Sequence, residues 1–277
     1  MIQPQTISEQ MMYSTIKLVA SNGSAGTGFF FNFSFSGNKE VPVIITNKHV
    51  VNNNNQEEVS CFLHVKNKNK IVNKGINITL KTKWYFHKNQ DLCFCFIAPL
   101  FQEIKEKQKK DVFYVGITED LIWDNVELEK LSMVEDITMV GYPNGLWDKN
   151  NNLPLFRRGI TSSHPAIDFN NKNIGAVDVA CFPGSSGSPI FVLNEDGYTD
   201  KKGNSYLGGK RIIFLGVLSK GPHFNAKGKL IIENIPTQQS VSALTPAMIN
   251  LGYYIKATEI LIFKSKIKKI MLKNSYA

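Results

Sequence analysis

The chain has only four cysteines, Cys61, Cys93, Cys95 and Cys181, among 277 residues. Cys93 and Cys95 alternate along one apolar run, so they read as small buried side chains on one strand face. No disulfide framework of the kind that staples secreted domains is visible. No stretch approaches the ~18 apolar residues of a membrane span. The first ten residues, MIQPQTISEQ, have neither a basic start nor an apolar core, so they do not read as a secretory signal. These absences predict a cytoplasmic protein with no membrane span. Acidic residues are in the minority, 23 against 32 Lys and Arg, for a net charge of +9. Part of the surplus is Lys264, Lys266, Lys268, Lys269 and Lys273. Such a patch can hold nucleic acid, but no nucleic-acid motif accompanies it. Lysines spaced along a helix read more simply as its solvated face. Nucleic acid is therefore an unlikely partner on sequence grounds. No motif implies a metal or an organic cofactor. There is no long linker and no internal repeat.

What the chain does have is short β-type runs separated by turn signals. They are Thr15–Ala20, Thr27–Phe35, Val41–Thr46, Val59–Val65, Asn77–Leu80 and Leu92–Ile97, then Thr138–Gly141, Gly159–Ser163, Gly175–Ala180, Pro189–Leu193, Ile212–Ser219 and Gly252–Lys256. This spacing suits all-β barrels better than α/β units. The expected division is a first barrel over residues 12–120, then a crossing segment and second barrel over 121–256. Over residues 257–277, Ile260, Phe263, Ile267, Ile270 and Met271 recur at helical spacing between lysines, which predicts an amphipathic basic helix. Thr258 is its expected N-cap. Its apolar stripe is expected to pack on the second barrel.

The most informative string is Gly184-Ser185-Ser186-Gly187-Ser188-Pro189. Glycines flanking serines let a turn gather backbone N–H groups around a hydroxyl. Such donors can hold the oxyanion that forms when a serine attacks a carbonyl. Two other strings complete the chemistry. Thr46-Asn47-Lys48-His49 puts a histidine just past a strand end, and Asp91-Leu92-Cys93-Phe94 puts an aspartate at the start of one. A serine nucleophile needs a base, and the base needs a group that fixes its tautomer. His49, Asp91 and Ser186 are the candidates for those roles.

In that chain order the three strings resemble the chymotrypsin/trypsin-like serine peptidases. His49 matches the family's Thr-Ala-Ala-His, Asp91 its Asp-(Ile/Leu)-(Ala/Cys)-(Leu/Val), and Ser186 its Gly-Asp-Ser-Gly-Gly-Pro, with Pro189 three residues on. Ser185 and Ser188 fail that register. Cys181, followed by Phe182-Pro183, lacks the glycine a nucleophile turn wants. His64, His87, His164 and His223 match no family position. Four further strings are similar to the bacterial high-temperature-requirement branch without its appended peptide-binding domains. They are Gly23–Phe30, Gly141–Leu146 with Arg158–Ser162, Leu215–Gly221 and Leu251–Ile255, all in family order.

The resemblance implies two six-stranded antiparallel β-barrels with a C-terminal α-helix. It implies a serine endopeptidase that acts on protein or peptide substrates through an acyl-enzyme. The N–H groups of Gly184 and Ser186 would form the oxyanion hole. Ser219 would support Asp91, and Ser219, Lys220 and Gly221 would pair with the substrate backbone. Ala180 would sit at the base of the specificity pocket, where it offers no charge to a Lys or Arg. Ser185 replaces the aspartate that pairs with a freed N-terminus in trypsin-like zymogens, so activation by N-terminal cleavage is not expected. Control is expected instead from a partner that orders Pro183–Ser186 or Leu146–Pro154. The other reading is a catalytically idle module that binds a protein partner, or nucleic acid through the basic helix.

Overall fold

The computed structural model describes residues 1–68, 70–143, 147–221, 223–229, 242–248 and 250–274. Asn144-Gly145-Leu146, the side chain of His223 and residues 275–277 lie outside the described residues. The first half carries α1 (Ile7–Met11), β1 (Thr15–Ala20), β2 (Ala25–Phe35), β3 (Lys39–Thr46), β4 (Val59–Asn67), β5 (Lys70–Leu80), β6 (Tyr85–Phe86), β7 (Cys93–Phe96), α2 (Ala98–Gln108), β8 (Asp111–Phe113) and β9 (Ile117–Thr118). The second half carries α3 (Asn125–Leu128), β10 (Asp136–Gly141), β11 (Leu155–Thr161), β12 (Ile174–Asp178), β13 (Pro189–Asn194), β14 (Gly197–Thr199), β15 (Ser205–Leu207), β16 (Arg211–Lys220), β17 (His223–Lys229), β18 (Ser242–Met248), β19 (Leu251–Lys256) and α4 (Thr258–Asn274).

In the second half β10-β11-β12-β19-β16-β13 close into a six-stranded barrel, as expected. The first half differs. Its nine strands form one sheet in the order β5-β4-β1-β2-β3-β7-β6, with β8 beside β4 and β9 beside β2. The described pairings do not close that sheet into a second barrel. Each half has its own apolar cluster. Ile16, Leu18, Ile44, Val59, Leu63 and Trp84 fill the first, and Ile137, Met139, Val177, Ile190, Ile213 and Tyr254 the second. A third cluster joins the halves. Phe29, Phe31, Phe33 and Phe94 of the sheet meet Phe191, Phe214, Val217 and Ile255 of the barrel.

Helix α4 was expected on the second barrel, and it packs both there and on the first half. Ile260, Phe263 and Ile267 are buried in the cluster that joins the halves. The Phe263 ring meets the rings of Phe94 and His87 edge-on. Lys264 pairs with Glu119 at 2.7 Å, and Lys266 donates to the Phe86 carbonyl at 3.1 Å. Two of its lysines therefore tie the helix to the first half. Thr258 is the first helical residue and not the cap before it.

Candidate active site

His49 lies on a single 3-10 turn, Lys48–Val51, immediately after β3. Asp91 lies in the turn between β6 and β7, closed by the His87 N–H donating to the Leu92 carbonyl at 2.8 Å. β3 and β7 are paired neighbours with Thr46 opposite Cys93, so the ends of the two strands bring His49 and Asp91 together. Asn47 sets their spacing by donating from Nδ2 to the Asp91 carbonyl at 2.8 Å.

The His49 Nδ1 and Asp91 Oδ2 are 2.6 Å apart, and the His49 backbone N–H donates to Oδ1 at 3.3 Å. A carboxylate only accepts, so Nδ1 carries a proton, and the neutral form of the ring has Nε2 as its acceptor. Ser219, near the end of β16, donates from Oγ to Asp91 Oδ2 at 2.9 Å. Burial raises the Asp91 pKa. Hydrogen bonds and charge from His49, joined by the Ser219 hydroxyl, outweigh burial and hold the carboxyl below its ordinary value. Asp91 is thus an anion held on three sides, and two of its holders come from the other strand-end and the other half.

Ser186 sits in the turn that feeds β13. Gly184 and Gly187 on either side adopt φ of +85° and +86°, the left-handed region that favours glycine. A Cβ at Gly187 would overlap the Thr27 carbonyl oxygen. The turn is held from several directions. The Gly187 N–H donates to the Leu218 carbonyl at 2.8 Å, and the Leu218 N–H donates to the Ser188 carbonyl at 2.9 Å. Thr27 of β2 donates from its N–H to the Ser186 carbonyl at 2.9 Å and from Oγ1 to the Gly184 carbonyl at 3.1 Å. Thr46 in turn donates to the Thr27 carbonyl at 2.7 Å. The strand that leads to His49 and the turn that carries Ser186 therefore share one residue. This turn was expected to await ordering by a partner, yet it is tied to both halves.

Of the three serines in the string, Ser186 is half-buried, while Ser185 and Ser188 are fully buried. The Ser185 hydroxyl accepts from Arg157 at 2.7 Å. Burial pushes the Cys181 thiol up to about 11, so it is not a thiolate at neutral pH. His64 and His87 are buried in structural bonds away from Asp91. Ala180 follows β12 and has its carbonyl capped by Arg157 at 2.7 Å. Lys220 ends β16, and Gly221 follows it. From the second expected mobile loop, Trp147–Pro154 is docked. Lys17 lies over the Trp147 ring at 3.2 Å, and the Asn152 carbonyl accepts from His64 at 3.0 Å. The sequence reading missed Asn47, Thr27 and Arg157, whose partners are distant in the chain. Among the described residues, no group of His, Cys, Asp and Glu could hold a metal ion.

A family model described as the trypsin-like peptidase domain matches residues 26–198, which include His49, Asp91 and Ser186. The chain belongs to that family. No curated protein matches it. Among solved structures, the scabies mite inactivated protease paralogue S-I1 is similar at 12% identity, over 95% of this chain and 97% of its own, with a TM-score of 0.47. The trypsin-like peptidase domain here has the predominantly β, chymotrypsin-like fold, with one closed six-stranded barrel and a C-terminal helix. Membership implies a peptidase with protein substrates. Among the described residues no helix is long and apolar enough to cross a membrane.

Proposed function

We propose that this trypsin-like peptidase domain is a serine endopeptidase, with Ser186 as nucleophile, His49 as general base and Asp91 as the carboxylate that orients it. The observation that carries this reading is the 2.6 Å contact of His49 Nδ1 with Asp91, itself held by Ser219. That contact leaves Nε2 as the acceptor a serine hydroxyl needs. Ser186 attacks the scissile carbonyl and His49 takes its proton. His49 delivers that proton to the leaving amine as the C–N bond breaks and the acyl-enzyme forms, and a water deprotonated by the same base then hydrolyses the ester and frees Ser186. The N–H groups of Gly184 and Ser186 receive the oxyanion. Neither is taken up by a protein acceptor among the described residues.

Residues 12–120 and 121–256 are read as two lobes that meet at this site. Ser219, Lys220 and Gly221 would pair with the substrate backbone as an added strand. Ala180 would lie at the pocket floor, where a substrate Lys or Arg meets no counter-charge. The order of the strings supports kinship with the high-temperature-requirement-like branch.

The experiment is labelling with a fluorophosphonate probe followed by peptide mapping. The expected result is one labelled peptide that carries Ser186, lost in Ser186→Ala and kept in Ser188→Ala. Labelling that persists in Ser186→Ala would discard the assignment.

A further inference from the structure

Arg157 on β11 is half-buried, and its guanidinium reaches the segment running into Ser186 from the barrel side, as the Thr27 hydroxyl reaches Gly184 from the sheet. Its Nη1 donates to the Ala180 carbonyl and to the Ser185 hydroxyl, each at 2.7 Å. Its Nε and Nη2 are buried and find no acceptor among the described residues. Among the described residues no carboxylate pairs with it, and the titratable group beside it is the Cys181 thiol. Burial lowers the guanidinium to about 10, with Cys181 opposing, so it stays charged at neutral pH.

A buried cation without a counter-ion is costly, and an apolar side chain of similar length would pack at lower cost. Packing therefore does not account for an arginine here. What its bonds do is span the segment. They fasten Ala180 at one end and Ser185 at the other, and between these two anchors lie Phe182 and Pro183, both exposed. The Ser185 N–H closes the same loop by donating to the Phe182 carbonyl at 3.0 Å. A guanidinium has the rigid, planar donor geometry to fix two acceptors relative to each other, which an ammonium on a flexible stem lacks. Ser185 immediately precedes Ser186, so the orientation of its backbone sets the direction of the Ser186 N–H and hydroxyl.

We propose that Arg157 is the positioning residue of the nucleophile turn, clamping Ala180 to Ser185 so that Gly184 and Ser186 present their N–H groups without a partner's help. This deepens the serine peptidase reading and rests on it. In this arrangement the barrel itself sets the turn, through a strand that pairs with β10 and β12.

The test uses the full-length chain with two readouts. The rate of fluorophosphonate labelling reports the nucleophile. Amide hydrogen exchange over residues 181–188 reports the turn whether or not the serine reacts. In Arg157→Met we expect labelling to slow by about tenfold or more, exchange to speed up by about tenfold or more, and Tm to hold or rise. Arg157→Lys, which keeps the charge and loses the planar donor group, should recover only part of the labelling rate. A folded Arg157→Met that labels at the wild-type rate overturns the proposal, whatever its exchange. Should Arg157→Met not fold, Ser185→Ala decides, since it removes one acceptor and keeps the cation. A slower label then supports the clamp and an unchanged one overturns it. A wild-type chain that does not label at Ser186 would remove the serine peptidase reading. Exchange in Arg157→Met would then decide the clamp alone, faster exchange supporting it and unchanged exchange overturning it.

Discussion

Asp91 concentrates more of the site's chemistry than any other side chain in it. It accepts from the His49 ring, the His49 backbone and the Ser219 hydroxyl. Replacing one carboxylate oxygen by an amide in Asp91→Asn forces a donor against the His49 N–H and favours the wrong tautomer. The expected result is a fall in kcat of roughly 10³- to 10⁴-fold with folding retained, read by labelling rate against thermal unfolding. A fully active Asp91→Asn would remove His49 and Asp91 from the mechanism. The buried histidines make a separate prediction. Burial holds His64 below its ordinary value against an opposing bond to the Asn152 carbonyl. Burial lowers His87 too, with Glu259 opposing and Lys48 and Lys266 adding to the fall. His87 Nδ1 also accepts the N–H groups of Asn89 and Gln90, at 3.2 and 2.9 Å, so a proton there would displace both. With folded pKa values depressed, the unfolded chain binds more protons once the pH falls below about 6.5. Stability is full above that point and declines as acid carries the pH down through the folded values. Urea midpoints that do not fall between about pH 7.5 and pH 5 would contradict this account.

At the scale of elements, the turn before β13 works because its backbone comes closer to β2 than a side chain permits. Gly187 combines a positive φ with contact on the Thr27 carbonyl. Gly187→Ala is expected to cost at least about 1 kcal/mol and to slow labelling by roughly a hundredfold, since the turn must back away from Thr27. A variant that labels normally would mean that Thr27 does not set the turn. Helix α4 shows how a clear pattern can still leave the partner open. Its stripe of Ile260, Phe263 and Ile267 is legible as one apolar face, but that face does not state what it covers. Helix α2 shows the converse. Leu100, Phe101 and Ile104 recur at helical spacing and pack on the first cluster, yet so short a pattern directly after a strand-like run does not declare a helix.

At the scale of the whole molecule, the aromatic cluster joining sheet to barrel makes the two halves one packing unit. Phe29 meets Phe214 at 5.5 Å between ring centroids, and Phe214 meets Phe191 at 5.2 Å. Phe263 of α4 closes the cluster from outside. The expectation is a single calorimetric transition for the chain, shifted as a whole by Phe263→Ala, which should cost roughly 3–5 kcal/mol. Two transitions, with only one moved by the substitution, would show that the halves unfold independently.

The division between sequence and tertiary structure follows the range of the interactions. Local periodicity, turn residues and short motifs record what neighbours in the chain do to each other. They were enough to place β1, β13 and β16 within a residue or two at each end, and to mark His49, Asp91 and Ser186 as candidates. Contacts between residues far apart leave no local trace. Ser219 reaches Asp91 across 128 positions, Thr27 reaches Gly184 across 157, and Arg157 reaches Ser185 across 28. Arg157 in particular carries no local signal, because both of its acceptors lie more than twenty positions along the chain. Whether the first sheet closes was likewise beyond the sequence, since closure depends on strand stagger and pairing at the edges, not on which residues favour strands. The chain's composition and order determined a β fold and the types of its reactive groups. Only the docking of sheet, barrel and α4 decided which groups touch, because burial and hydrogen bonding are properties of the packed whole.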